Sequence, residues 1–86
     1  MPIPKEWLRH SATVDLLEQE YMYEGRPFGN ENDTWETLKR KMSAGDTLWF
    51  FQSPPETWTS FPRSGFEGIA LMRGDEVVDV LLTAIS

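Results

Sequence analysis

A two-residue turn between two runs of strand-forming residues is the feature that most constrains the fold. Gly74-Asp75 separates residues 68–73 from residues 76–85, and both runs are rich in Ile, Leu or Val. A two-residue loop with glycine first is typical of the primed turns, whose twist matches that of the strands they join. The sequence therefore predicts a C-terminal antiparallel hairpin.

The same turn predicts which residues of the hairpin oppose each other. Counted outward from a strict two-residue loop, Leu71 opposes Val78 and Ile69 opposes Val80, and directly opposed residues share a face. One face is then mainly apolar and the other is mixed. The apolar face holds Ile69, Leu71, Val78, Val80, Leu82 and Ala84. The mixed face holds Ala70, Met72, Val77, Asp79, Leu81, Thr83 and Ile85.

Residues 33–45 predict a helix that begins at Asp33 and stops before Gly45. The sequence Asp33-Thr34-Trp35-Glu36 matches a capping box, in which the first and fourth side chains satisfy backbone amides at the helix start. Trp35, Leu38 and Met42 follow at the spacing of one helix face, and glycine suits the left-handed conformation that ends many helices. We expect this apolar face to pack on Ile69, Leu71, Val78 and Val80.

Two shorter elements follow this helix. Residues 46–52, DTLWFFQ, predict a strand that is apolar on both faces and therefore lies centrally or under cover. Ser53-Pro54-Pro55-Glu56 predicts a short helix through Trp58, because proline lacks an amide that the first helical turn leaves unpaired anyway.

The sequence specifies the structure of the first 32 residues less clearly than that of the rest of the chain. Val14, Leu17 and Tyr21 recur at helical spacing, which predicts an N-terminal helix within residues 11–23. Residues 24–27 then contain a glycine and a proline that break it, and residues 28–32 are expected to continue as a loop.

These elements predict one α+β domain over residues 1–86. The expected architecture is an antiparallel sheet of about three strands, with the Asp33 helix packed on one face. A chain of 86 residues has room for a single core, and the absence of cysteine excludes disulfide support. Its 40% hydrophobic content is too high for intrinsic disorder.

Charge and hydropathy exclude two classes of partner. The net charge of −6 repels nucleic-acid backbones and anionic lipid, and the single basic run, residues 39–41, is explained by its place at a helix C-terminus. No apolar stretch approaches the ~18 residues of a membrane helix, and the N-terminus lacks the pattern of a signal peptide. We therefore expect a cytoplasmic protein that binds neither nucleic acid nor membrane.

Residues suited to catalysis or metal binding do not form a convincing pattern. His10 is the only histidine, and no nucleophile motif accompanies it. The acids at positions 15, 18, 20 and 24 have no calcium-loop spacing and are explained as a solvated helix face. We predict no enzyme activity, no catalytic residues, no metal site and no cofactor.

The leading functional hypothesis is a small acidic protein-interaction factor of the inhibitor, immunity or regulatory type. Its partner is expected to present a basic surface. The mixed face is covered either by a second copy in a homodimer, which the small size favours, or by the N-terminal helix of a complete monomer. The candidate partner surface comprises Trp49, Phe51, Trp58, Met72, Val77 and Leu81. The alternative is a small-molecule-binding domain or enzyme, with a pocket between the Asp33 helix and the sheet lined by Trp49 and Trp58.

A longer pattern from Trp35 onward resembles a group of small bacterial proteins. It reads W-x-x-L-x-x-x-M-x-x-G-D-x-L-W-x-F, then S-P-P-x-x-W, then G-I-A-L-x-R. The resemblance implies a bacterial or phage origin and one compact domain, and it supplies no activity and no site residues. The residues that carry it are Trp35, Leu38, Met42, Gly45, Asp46, Leu48, Trp49, Phe51, Ser53, Pro54, Pro55, Trp58, Gly68, Ile69, Ala70, Leu71 and Arg73.

Overall fold

The structure, a computed structural model, describes residues 3–59 and 64–85. Single turns of 3-10 helix occur at Lys5–Trp7 and Gly29–Glu31. The other elements, in chain order, are β1 (Leu8–Ala12), α1 (Val14–Glu20), β2 (Met22–Tyr23), β3 (Arg26–Pro27), α2 (Asn32–Lys41), β4 (Thr47–Gln52), α3 (Pro55–Thr59), β5 (Phe66–Arg73) and β6 (Glu76–Ile85).

The main sheet has four antiparallel strands in the order β1-β4-β5-β6, and β2 and β3 form a separate two-stranded hairpin. The α+β class, the central position of β4 and the C-terminal hairpin around Gly74-Asp75 are confirmed. The expected number of three strands in the main sheet is one too few. No helix in the described part of the chain has the length and apolar character needed to cross a bilayer.

The additional strand, β1, lies where the sequence analysis expected irregular chain and the start of a helix. Three consecutive residues of β1, Arg9, His10 and Ser11, are exposed, so the strand lacks the apolar alternation that sequence analysis detects. Pairing with β4 supplies backbone partners that no local pattern reveals. The N-terminal helix is correspondingly shorter than expected, and the Thr13 hydroxyl caps it by accepting from the Leu16 amide.

The hairpin β2–β3 replaces the break and loop expected after the first helix. Its turn residues, Glu24 and Gly25, have φ of 51° and 80°, and such a pair of left-handed residues closes a tight two-residue turn. The Glu24-Gly25 pair therefore forms a hairpin turn, where only the end of a helix was expected.

Helix α2 forms as expected, but its ends differ from the prediction. It begins at Asn32, directly after a turn of 3-10 helix, and no side chain caps it. The carboxylate of Glu36 contacts the Lys39 ammonium at 2.9 Å. At the other end, the helix stops at Lys41, and Gly45 takes its φ of 90° in the turn before β4.

The short helix α3 is present as expected, and Ser53 precedes it. The Ser53 hydroxyl accepts from the amide of Phe66 at 2.9 Å and lies 2.6 Å from the Thr57 hydroxyl. Ser53 is therefore buried at the junction between the end of β4 and the start of β5.

Both α1 and α2 pack on the same face of the main sheet. Trp35 and Leu38 of α2 and Leu17 of α1 are fully buried there. Burial of each large side chain contributes about 1.5–3 kcal/mol, so this layer is the main core of the domain. Its buried members are Leu17, Phe28, Trp35, Leu38, Leu48, Ile69, Leu71 and Leu81.

The register of the C-terminal hairpin differs from the expected one because β6 contains two irregularities. Next to the turn, Arg73 opposes Glu76 as expected, but Leu71 opposes Asp79 and Ile69 opposes Leu81. The shift between Leu71 and Met72 inserts one extra residue in β6, and a one-residue shift moves every later side chain to the other face.

This shift corrects the predicted core. Leu81, assigned to the mixed face, is buried beneath the helices, and Val80 and Leu82 lie on the opposite face. Ile69 and Leu71 meet the helices as expected, and Val78 packs against the same core.

We call the side of the sheet opposite α1 and α2 the helix-free face. Ile3 is buried against this face, and the Trp7 ring stacks 6.4 Å from that of Phe66. The sheet residues of the helix-free face are Leu8, Trp49, Phe51, Phe66, Ala70, Met72, Val77, Val80 and Leu82.

Candidate binding surfaces

Four of the six residues predicted to form a partner surface share the helix-free face: Trp49, Phe51, Met72 and Val77. Two of the four are not accessible, because Phe51 is fully buried and Met72 is nearly so. Trp49 and Val77 are only half-buried. The accessible part of the predicted surface is therefore confined to these two residues on this face.

The other two predicted residues lie elsewhere. Leu81 is buried on the side of the sheet covered by the helices, so it is not available to a partner. Trp58 lies on α3 and packs so closely over Gly65 that a Cβ at that glycine would come within 2.6 Å of the indole ring. Its indole N–H is buried and has no hydrogen-bond acceptor among the described residues.

Two residues that the sequence analysis placed on the wrong face extend the helix-free face toward its edge. Val80 and Leu82 are partly buried there, beside Val77. A depression of about 230 Å³ along β6 is lined by Val77, Val78, Asp79, Val80 and Leu82. Only the extra residue in β6 brings Val80 and Leu82 to this side, so no periodicity in the sequence indicated them.

The outer edge of β6 is partly protected against the addition of another strand. The Val80 amide donates to the carboxylate of Asp79 at 2.9 Å, and the same carboxylate binds the Lys41 ammonium at 3.1 Å. An edge amide that is already occupied is not free to pair with a new strand. The partly buried apolar side chains, rather than the backbone edge, are therefore what β6 offers to a partner.

The structure does not place Trp49 in the pocket that was expected between α2 and the sheet. Trp49 lies on the helix-free face, and its indole N–H donates to the Thr47 hydroxyl at 3.2 Å. On the opposite face, Trp35 and Leu38 are fully buried and fill the contact between α2 and the sheet. Trp49 therefore does not line a space beneath α2.

A pocket larger than the depression along β6 lies instead beside the β2–β3 hairpin. It encloses about 330 Å³, at the lower end of the range for small-ligand sites. Sequence analysis assigned this region only to a loop. The pocket is lined by Tyr21, Tyr23, Phe28, Gly29, Asn30, Glu31, Leu81, Leu82 and Thr83.

An aromatic stack forms the inner wall of this pocket. The Phe28 ring lies 4.7 Å from that of Tyr21, nearly parallel to it, and 4.7 Å from that of Trp35. The backbone of Phe28 has a φ of 65°, a left-handed conformation that costs about 1–2 kcal/mol for a residue with a Cβ. Packing between Tyr21 and Trp35 supplies the contacts that hold Phe28 in this strained conformation.

The mouth of the pocket depends on the residue that follows Phe28. Gly29 also has a positive φ, of 52°, and a Cβ there would lie 3.1 Å from the Tyr23 ring. Glycine at this position therefore lets the Tyr23 side chain close against the loop. Tyr23 itself is 63% exposed.

One acidic side chain lines the same pocket, and two others act on Tyr21. Burial raises the pKa of Tyr21 above its usual value, and the negative charges of Glu67 and Glu20 raise it further. Glu31 lines the pocket and has no ion-pair partner among the described residues. The Arg26 guanidinium is directed to the Asn32 side chain at 3.2 Å and to the Asp33 carboxylate at 3.9 Å. Among the residues that line the pocket, the charged side chain is therefore an acid, Glu31.

The residues first considered for catalysis or metal binding are dispersed. His10 is exposed on β1 and its ring stacks 5.4 Å from Phe50. Among residues 3–59 and 64–85, no three histidine or acidic side chains converge closely enough to hold a metal ion. Glu18 lies near Trp35 and Lys39, where it joins the two helices.

Comparisons of the chain with protein-family models, with curated proteins and with solved structures find no match. The resemblance to small bacterial proteins therefore stays a prediction. The proposals below depend on the geometry and chemistry of this chain.

Proposed function

We propose that the protein is a small, non-enzymatic interaction factor that binds a protein partner through its helix-free face. The observation that carries the proposal is the group of partly buried apolar side chains on this face, Trp49, Val77, Val80 and Leu82. Apolar side chains that stay partly accessible on one face are a feature of protein contact sites.

The charge of the chain supports a partner with a basic surface around an apolar centre. With a net charge of −6, the protein attracts such a partner at long range, which raises the association rate. Aromatic residues such as Trp49 are enriched among the side chains that contribute most to binding. The proposed order of events is electrostatic attraction followed by burial of the apolar group.

A variant pair tests the proposal by affinity capture from the source lysate. Val80→Glu places a charge in the centre of the proposed contact, and Thr34→Glu places the same charge on the exposed side of α2, away from it. Circular dichroism and thermal melting should show that both variants are folded. We expect wild type and Thr34→Glu to retain the same basic partner and Val80→Glu to lose it.

A second copy of the chain is the other occupant that the experiment distinguishes. Light scattering over a wide concentration range would then report a mass above the 10.0 kDa of one chain, and Val80→Glu would return it to that value. Equal capture of the same protein by all three chains, or no capture and a constant single-chain mass, would contradict the proposal.

A further inference from the structure

We propose that the aromatic pocket beside the β2–β3 hairpin is a binding site for a small organic cation that carries a quaternary ammonium group. This pocket shares Leu82 with the edge of the helix-free face, but its tyrosines and Glu31 lie outside that face, and the inference does not depend on the function proposed above.

The lining of the pocket favours a cation over a neutral or anionic ligand. Tyr21 and Tyr23 contribute aromatic rings, and ring faces attract cations through their negative quadrupole. Phe28 is packed between two other rings, so the tyrosines are the rings that a ligand can meet. Glu31 adds a carboxylate at the rim, and Glu20 and Glu67 lie close enough to influence Tyr21.

The apolar part of the lining favours a quaternary ammonium over a primary amine or a metal ion. Leu81 and Leu82 form part of the wall. A primary ammonium or a metal ion would lose strong hydration in this pocket and find few oxygen ligands in exchange. A quaternary ammonium has no N–H to satisfy and carries methyl groups that pack well on leucine and aromatic rings.

The backbone of the pocket supports a site that is formed before a ligand arrives. Two successive residues, Phe28 and Gly29, have positive φ, and the chain holds this strained arrangement by stacking Phe28 inside the core. Strained backbone of this kind is concentrated at ligand sites, because the surrounding packing keeps the lining in place. The same stack contains a cation–aromatic contact at its far end, where the Lys39 ammonium lies 5.5 Å from the Trp35 ring.

A matched ligand pair tests the charge requirement. Choline and 3,3-dimethylbutan-1-ol have the same shape and differ in that the first carries a positive nitrogen where the second carries a carbon. We expect choline, added at constant ionic strength, to shift the amide resonances of residues 21–31 and 81–83 saturably. The neutral alcohol is expected to bind at least about tenfold more weakly.

A matched variant pair tests the aromatic requirement. Tyr23 is exposed, so its substitution leaves the core intact. Tyr23→Phe keeps the ring and is expected to bind choline within about twofold of wild type, whereas Tyr23→Leu keeps an apolar side chain without the ring and is expected to bind about five- to thirtyfold more weakly. Glu31→Gln is expected to weaken binding by a smaller factor that disappears at high salt.

Three results would overturn the inference. The first is equal binding of choline and its neutral isostere, which would indicate an apolar groove only. The second is unchanged choline affinity in Tyr23→Leu. The third is the absence of saturable shifts at the pocket with choline up to tens of millimolar in the folded wild-type protein. None of these results bears on the helix-free face, so this inference and the proposed function fail separately.

Discussion

The Lys39 ammonium of α2 lies 2.7 Å from the Glu18 carboxylate of α1, and this ion pair joins the two helices above the core. The same carboxylate accepts from the indole N–H of Trp35 at 2.9 Å. Glu18 thus satisfies the polar atom of the largest buried side chain in the domain. A residue that the sequence assigned to a solvated helix face is part of the support of the core.

Replacement of Glu18 is therefore expected to destabilise the protein. Glu18→Ala removes both hydrogen bonds and leaves the Trp35 indole N–H without its acceptor, which should lower the free energy of unfolding by about 1–3 kcal/mol. Glu36→Ala is the control, because Glu36 contacts the same lysine from within α2 and such pairs contribute about 0.2–0.5 kcal/mol. Urea unfolding measures the free energy of unfolding of each variant. Equal losses in the two variants would contradict the assigned contact.

The same residue predicts a dependence of stability on pH. Hydrogen bonds from Lys39 and Trp35 hold the pKa of Glu18 below its ordinary value of about 4.5. The stabilisation is therefore complete well above this value and is lost as the pH falls through the lower pKa of the folded state. We expect the melting temperatures of wild type and Glu18→Gln to differ more at pH 7 than at pH 3. A gap that widens on acidification would show that the shift has the opposite sign.

The corrected register of β6 predicts a contrast between neighbouring residues. Leu81 is 1% exposed under the helices, so Leu81→Ala should cost about 2–5 kcal/mol. Val80 is partly buried on the helix-free face, and Val80→Ala should cost much less, about 1 kcal/mol. Chemical denaturation of the two variants decides between the registers, since the strict two-residue count expects Val80 to be the more costly position.

Gly68 predicts a strong constraint on the centre of the same hairpin. A Cβ at this position would overlap the Leu81 carbonyl oxygen and lie 3.0 Å from the Leu82 Cα, so the two strand backbones would have to move apart. We expect Gly68→Ala to cost about 3 kcal/mol or more. Gly25→Ala, with a φ of 80° but no atom within 4 Å of the added carbon, should cost about 1–2 kcal/mol. Thermal melting of the pair would contradict this assignment if Gly25 proved the more sensitive.

The sequence alone predicts the elements whose turn residues or side-chain spacing specify their structure. The turn at Gly74-Asp75 follows from the backbone freedom of glycine and the twist of a two-residue loop. Helix α2 follows from the spacing of Trp35 and Leu38, which are both fully buried on one side. Strand β4 was recognised as central because it is apolar on both faces.

The candidate sites depend on structural features that no short stretch of the sequence indicates. β1 consists largely of exposed polar residues and is a strand because β4 provides its backbone partners. The face on which Val80 lies depends on one extra residue in β6, and the pocket depends on the left-handed backbone of Phe28. Neither is visible in hydrophobic periodicity, because the extra residue in β6 depends on pairing with β5 and Phe28 is held by stacking between Tyr21 and Trp35.

The sequence by itself determined the α+β class, the hairpin turn, the amphipathic helix and the net charge, because turn chemistry, side-chain spacing and composition act over a few residues. The tertiary structure alone decided the strand count, the register beyond the first irregularity and the grouping of Tyr21, Tyr23 and Glu31 around one pocket. These features result from backbone pairing and packing between segments, where the insertion of a single residue moves the side chains that follow to the other face until a second insertion restores them.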